Sequence, residues 1–104
     1  MNQKTSNDSD NGNRVSMGMM RITFYAGDNI TANGTKPIPY QTCAAGLGIP
    51  MGTKIYVPSI GTLIVTDRGN PSVVTDSVLD VFVDGTESET NNLGVRNEEC
   101  FILK

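Results

Sequence analysis

The chain contains no histidine and no tryptophan. Without imidazole there is no Ser-His-Asp or Cys-His nucleophile and no histidine-containing metal site. Carboxylates are left as the obvious acid–base groups. Cations are few, with eight Lys and Arg against eleven Asp and Glu for a net charge of −3. Phosphate backbones and anionic membranes are held by clustered cations, so nucleic acid is not expected as a partner. No apolar stretch approaches the roughly 18 residues of a spanning helix, and membrane insertion is not expected. No apolar signal region marks the N-terminus, which suggests a cytoplasmic chain or a mature or excised piece of an exported one. Cysteine is also scarce. Cys43 and Cys100 are the only two, and two thiols alone make no zinc site, so no metal or cofactor is expected. A disulfide between them would close a loop of about sixty residues, worth about 4 kcal/mol in the chain-entropy model. Two separate buried thiols are equally open.

A length of 104 residues supports one domain with an adequate core. Residues 1–19 are rich in Asn, Ser, Asp and Gly and read as a disordered tail or linker. The folded domain is then residues 20–104. From Met20 onward the texture is that of short strands. They read as residues 21–26, 40–45, 53–58, 61–67, 77–84 and 99–104, separated by turns rich in Gly and Pro such as Gly27-Asp28-Asn29. Thr86 and Glu89 have the spacing of a capping box and Gly94 supplies a left-handed stop, so one short helix is expected near residues 87–93. Six short strands with little helix indicate a mostly all-β fold, either a small closed barrel or a two-sheet sandwich.

The strongest strand, "VLDVFVD", places Leu79, Val81 and Val83 on one face and Asp80, Phe82 and Asp84 on the other. Two carboxylates around an aromatic ring suit a half-exposed groove floor, and equally a solvated face. Asp80 and Asp84 would stand about 13 Å apart along a flat strand, too far to share a proton. Asp67 ends a different strand and is the better neighbour for Asp80. A nearby carboxylate and partial burial raise the pKa of one member, which suits it to act as a general acid. Tyr25, Thr31 and Lys54 are polar residues near turns or strand ends. Each by itself fits a surface residue as well as a substrate contact.

Several segments together resemble the three-aspartate, or 3D, domain. They are "TANGT" (31–35), "TCAAGLGIPMGTKIYVPSIGTLIVTDRG" (42–69), "LDVFVDG" (79–85) and "LGVRNEECFIL" (93–103). That family is built on the double-psi β-barrel. It occurs in the catalytic part of membrane-bound lytic transglycosylase A and in small cell-wall proteins of Gram-positive bacteria, including stationary-phase survival proteins. The resemblance implies a six-stranded double-psi barrel that cleaves the bond between N-acetylmuramic acid and N-acetylglucosamine in peptidoglycan and leaves a 1,6-anhydro sugar. It implies Asp80 as the acid/base, Asp67 and Asp84 lining the site, and Thr31 and Lys54 flanking the groove; Tyr25 and Phe82 are expected as further substrate contacts from their own positions. The expected partner is a peptidoglycan glycan strand, the expected state a monomer and the expected place the cell wall or outside the cell. The chain departs from the family between Asp67 and Asp80, where "DRGNPSVVTDS" puts Arg68 in place of threonine. An arginine there is placed to pair with an aspartate. "DRG" is also similar to rare lipoprotein A and the expansins, so a wall-binding module without cleavage is a second expectation. A structural part of a phage wall-penetrating device is a third.

Overall fold

The computed structural model describes residues 13–27 and 30–104. Six strands close into a ring: β1 (Arg14–Tyr25), β2 (Thr42–Ala45), β3 (Lys54–Val57), β4 (Gly61–Asp67), β5 (Val78–Phe82) and β6 (Arg96–Leu103). The order around the ring is β1-β5-β2-β4-β3-β6. The sandwich alternative is therefore set aside. The β1/β5 and β2/β4 pairs are parallel, and the other pairings are antiparallel. Shifting every strand label by three returns the same ring, so the topology has an internal two-fold relation. Among the described residues no helix is long and apolar enough to cross a membrane.

Strand alternation fills the ring. Met20 and Ile22 from β1, Cys43 and Ala45 from β2, Ile55 and Val57 from β3, Leu63 and Val65 from β4, Leu79 and Val81 from β5, and Cys100 from β6 form one buried cluster. These are alternate residues of each strand, as the pleat requires when one face points inward. Closure pairs the barrel portions of the strands on both sides, while residues 14–20 of β1 are matched to β6 alone.

The fold begins earlier than the polar composition suggests. Residues 14–19 belong to β1 and pair with β6, as in Arg14↔Leu103 and Val15↔Ile102. Ladder bonds use the backbone, so a polar segment can be ordered by its partner strand. The pairing slips between Ser16 and Gly18, and Gly18 has φ 76°. That is the left-handed conformation a glycine bulge needs. The earlier residues 1–12 of the expected tail, and Asp28 and Asn29 of the expected turn, lie outside the described residues.

The helix, α1 (Glu87–Asn91), is capped as its sequence requires. Glu89 N donates to Thr86 Oγ1 at 3.2 Å and Thr86 N donates to Glu89 Oε1 at 2.7 Å. The backbone bond from Thr86 is the main reason the Glu89 carboxyl lies below its ordinary pKa, with the side-chain bond adding to it. Buried Thr90 anchors the helix, which lies against β1.

Cys43 and Cys100 are both buried free thiols, not a disulfide. Burial, with added repulsion from Asp80, Cys100 and Asp67, pushes the Cys43 thiol from 9.0 up to about 12. Burial, then Glu98 and Glu99, pushes Cys100 up to about 11. Both folded values are raised, so below the unfolded value the thiols are neutral in both states and cost nothing. Above it the unfolded chain ionises first, and stability falls until the folded values are reached. We expect a loss of roughly 1.4 kcal/mol per pH unit from Cys43 between pH 9 and 12. Melting curves across that range should show the loss, and a Cys43→Ala variant should reduce its slope. A pH-independent melting temperature, or rapid labelling of native protein by a thiol reagent at pH 8, would contradict it.

Candidate functional site

The register of the barrel answers how the aspartates are arranged. Thr23 on β1 is paired with Asp80 on β5. Asp80 is paired with Ala44 on β2, and Ala44 with Asp67 on β4. The four residues form a row across adjacent strands. Asp67 and Asp80 are thus two strands apart, about 10 Å between Cα atoms at the usual strand spacing, with the small Ala44 side chain between them. The internal two-fold relates the two ends of the row, Thr23 and Asp67, and its two central residues, Asp80 and Ala44.

Asp67 joins this row through a bulge. Leu63 and Val65 point into the core, and simple alternation would send Asp67 after them. The β2/β4 register instead runs Cys43↔Val65 and then Ala44↔Asp67, leaving Thr66 as the extra residue. The bulge brings Asp67 opposite the outward-facing Ala44. A bulge re-aims a side chain in this way at strand ends and near sites. Thr66 O then accepts from Asn33 N at 2.9 Å, so the loop after β1 docks on the bulge.

Three donors hold the Asp67 carboxylate. Tyr25 Oη donates to Oδ2 at 2.9 Å, and the Ala32 and Arg68 backbone N–H groups donate to Oδ1 at 3.0 Å each. Asp67 is buried, at 9% exposure. Its role here is to tie the end of β4 to β1 and to the 31–35 loop. Asp80 is half-buried and accepts from Thr23 Oγ1 at 2.8 Å. The two carboxylates therefore sit in different settings. One is enclosed and used as an acceptor by backbone and tyrosine, and the other is partly open to solvent and steadied by a threonine hydroxyl.

The remaining expected residues are placed as follows. Asp84 is exposed and lies beyond β5, which ends at Phe82, so the flat face of Asp80, Phe82 and Asp84 does not extend that far. Phe82 is buried at 7% exposure rather than forming a half-exposed floor. It packs edge-on against Tyr25, with ring centroids 5.5 Å apart. Thr31 is buried and shapes its own loop: it bonds Thr35 through both hydroxyls at 3.0 Å, and Thr35 N donates back to Thr31 Oγ1. That shape is what carries Ala32 N to Asp67. Lys54 is exposed at the start of β3, opposite Ile64 and Leu103. It stands on the strand beyond β4 and three residues short of the Asp67 level, off the aspartate row.

Arg68 pairs with backbone carbonyls. Its Nη1 donates to Gly46 O and Ile49 O at 2.6 Å and to Ala45 O at 3.3 Å. A guanidinium satisfies the carbonyls of this turn as a fixed fork of donors. The 45–49 turn also receives Asp76, which accepts from Gly48 N at 2.9 Å. Beyond Arg68, the 70–77 segment returns over the row, where Val74 packs with Ala44 and Val78, and Tyr25 lies against this cluster. Thr23 and Asp76 were not apparent as partners from the sequence, and Arg68 was expected on an aspartate but sits on backbone carbonyls. The alternation of "RITFY" does put Thr23 and Tyr25 on one face, but which strand lies beside them is not written locally. No protein-family profile matches the chain, and no curated protein matches its sequence.

Proposed function

We propose that the chain is a double-psi barrel of the three-aspartate kind and acts as a peptidoglycan lytic transglycosylase with Asp80 as its single acid/base. The barrel part of this reading is supported by the closed ring, its two parallel pairs and its internal two-fold relation. The observation that carries the chemical part is the contrast between the two aspartates of the row. Asp67 has its oxygens taken by three protein donors, while Asp80 is half-buried beside Thr23.

In this mechanism Asp80 starts protonated and donates to the glycosidic oxygen as the bond to the N-acetylmuramic acid anomeric carbon breaks. The resulting carboxylate then takes the proton of the muramic acid C6 hydroxyl, whose oxygen closes onto the anomeric carbon. The nucleophile belongs to the substrate, so one carboxyl group serves as acid and then base. Ordinary glycosidases need a second carboxylate as nucleophile or base. Thr23 holds one oxygen of Asp80, which fixes the carboxyl plane. Asp67 and Tyr25 build the wall of the row and hold the loop that borders it. The expected setting is the cell wall.

A non-cleaving wall-binding module is the second reading, and the position of Asp84 favours it, since that aspartate is exposed beyond the strand end. Digestion of purified peptidoglycan followed by mass spectrometry separates the readings. We expect muropeptides with 1,6-anhydro ends. Hydrated reducing ends would replace the transglycosylase by a hydrolase. Retention on the wall without any released product would support the binding module.

A further inference from the structure

Among the aromatic side chains only Tyr40 is exposed, at 49%. It is also the one non-glycine residue with positive φ among the described residues, at 60°. The sequence explains the turn but not the tyrosine. Ile38-Pro39-Tyr40-Gln41 is closed by Gln41 N donating to Ile38 O at 3.1 Å. Thr42 N also reaches Ile38 O, at 2.9 Å, and Thr42 Oγ1 accepts from Ile38 N at 2.8 Å. Proline presets the first central position, and the second here takes positive φ, where glycine or asparagine fits without strain. A bulky residue held there is a steric outlier. Tyr40 N donates to Phe82 O at 2.8 Å, but any non-proline residue brings that N–H. Neither the turn nor its docking on β5 uses the phenol ring, and half of the residue's surface is left in water.

Strain kept at a residue with half of its surface open to solvent points to a use outside the fold. The place of Tyr40 narrows that use. Phe82, to whose carbonyl it is bonded, lies two residues beyond Asp80 on the same strand, a step of roughly 7 Å. Gln41 beside it is exposed, and Gln41 O accepts from the N–H of Ile64, 37% exposed, at 2.7 Å. Tyr40 and Gln41, both exposed, are thus tied by their backbone to the end of the strand that carries Asp80. A pyranose has a face of C–H bonds and a rim of hydroxyls, and matches this pattern.

We propose that Tyr40 is a stacking platform for a sugar ring of the glycan strand, one subsite along from Asp80. This rests on the glycan-cleaving reading of the Asp80 row. The strained turn holds the ring outward, and the strand running past it would be kept in register with the acid. The test uses the whole chain and two variants, Tyr40→Asn and Tyr40→Phe. The readouts are thermal melting, co-sedimentation with purified peptidoglycan and calorimetric binding of a soluble N-acetylglucosamine–N-acetylmuramic acid oligosaccharide. Tyr40→Asn should melt a few degrees higher, because asparagine tolerates the left-handed conformation, and should bind roughly tenfold more weakly, the loss of one aromatic contact. Tyr40→Phe should bind as the parent does. A Tyr40→Asn variant that binds as tightly as the parent, or that melts lower, overturns the subsite while leaving the Asp80 reading standing. A parent protein that binds neither glycan form overturns both.

Discussion

Asp80→Asn is expected to leave the barrel folded and to reduce release of 1,6-anhydro muropeptides by on the order of 10³-fold, within the range for losing a general acid–base group. The side chain is half-buried on the outer face of β5, away from the interior cluster. Asparagine keeps its shape and can still accept from Thr23 Oγ1, which now donates at 2.8 Å. The change removes the proton donor without opening a cavity, so the melting temperature should move little while activity collapses. Asp67→Asn should behave in the opposite proportion. Its carboxylate accepts three bonds, and an amide keeps one acceptor oxygen, turns its NH2 toward the Tyr25 hydroxyl and loses the charge that strengthens all three bonds, so stability should fall along with activity. An Asp80→Asn enzyme that digests peptidoglycan at the parent rate would end the assignment. Thr23→Val should change the pH dependence of the rate more than the binding of glycan, because the hydroxyl touches only the acid.

Gly46→Ala is expected to destabilise the fold by roughly 3 kcal/mol or more, at the upper end of the cost of overpacking. A β-carbon at Gly46 would stand 2.5 Å from Asp76 N and from Thr75 C, which are backbone atoms and cannot step aside. The Asp76 carboxyl group also crowds that position, and at Gly48 it supplies all of the nearest atoms, with its Cγ at 2.9 Å and no backbone atom among them. A side chain can rotate away, at the cost of the bond it accepts from Gly48 N. The two substitutions therefore predict different double-mutant behaviour. Asp76→Ala should relieve most of the cost of Gly48→Ala and little of the cost of Gly46→Ala. Urea unfolding of the six proteins, the parent with three single and two double variants, measures this. Equal rescue at both positions would show that the 75–76 backbone is free to move. The same contacts hold the 70–77 segment, and with it Val74, over the aspartate row, so a Gly46→Ala protein that folds should also lose activity.

Much of the fold was readable from local pattern. Leu63 and Val65, or Leu79 and Val81, declare their inward face through a period of two, and the cluster in the barrel contains all four. Thr86 and Glu89 marked the helix start three residues apart, and both bonds of the box are made. The start of β1 was not readable, because residues 14–19 are ordered by β6, a partner more than seventy residues away. The site was readable in kind only. The absence of histidine pointed to carboxylates, and Asp67 and Asp80 stood out by their strands. Phe82 and Thr31 were expected at a substrate and are buried, because strand alternation says which residues share a face and not what later covers that face.

By itself the sequence determined the building units and the available chemistry. It specified short alternating strands, turns at glycine and proline, one capped helix, two cysteines whose pairing it left open, and an acid–base chemistry that has carboxylates and no histidine to draw on. These follow from residue type and short spacing. Only the tertiary structure decided which of those groups meet. The ring order set β2 between β4 and β5, the bulge at Thr66 turned Asp67 onto the row of Ala44 and Asp80, and Arg68 was drawn to the carbonyls of the 45–49 turn instead of to an aspartate. Each of these depends on pairing between segments distant in the chain. The energy of such pairing lies in backbone bonds, which every residue type but proline can make in full, and so leaves no local signature.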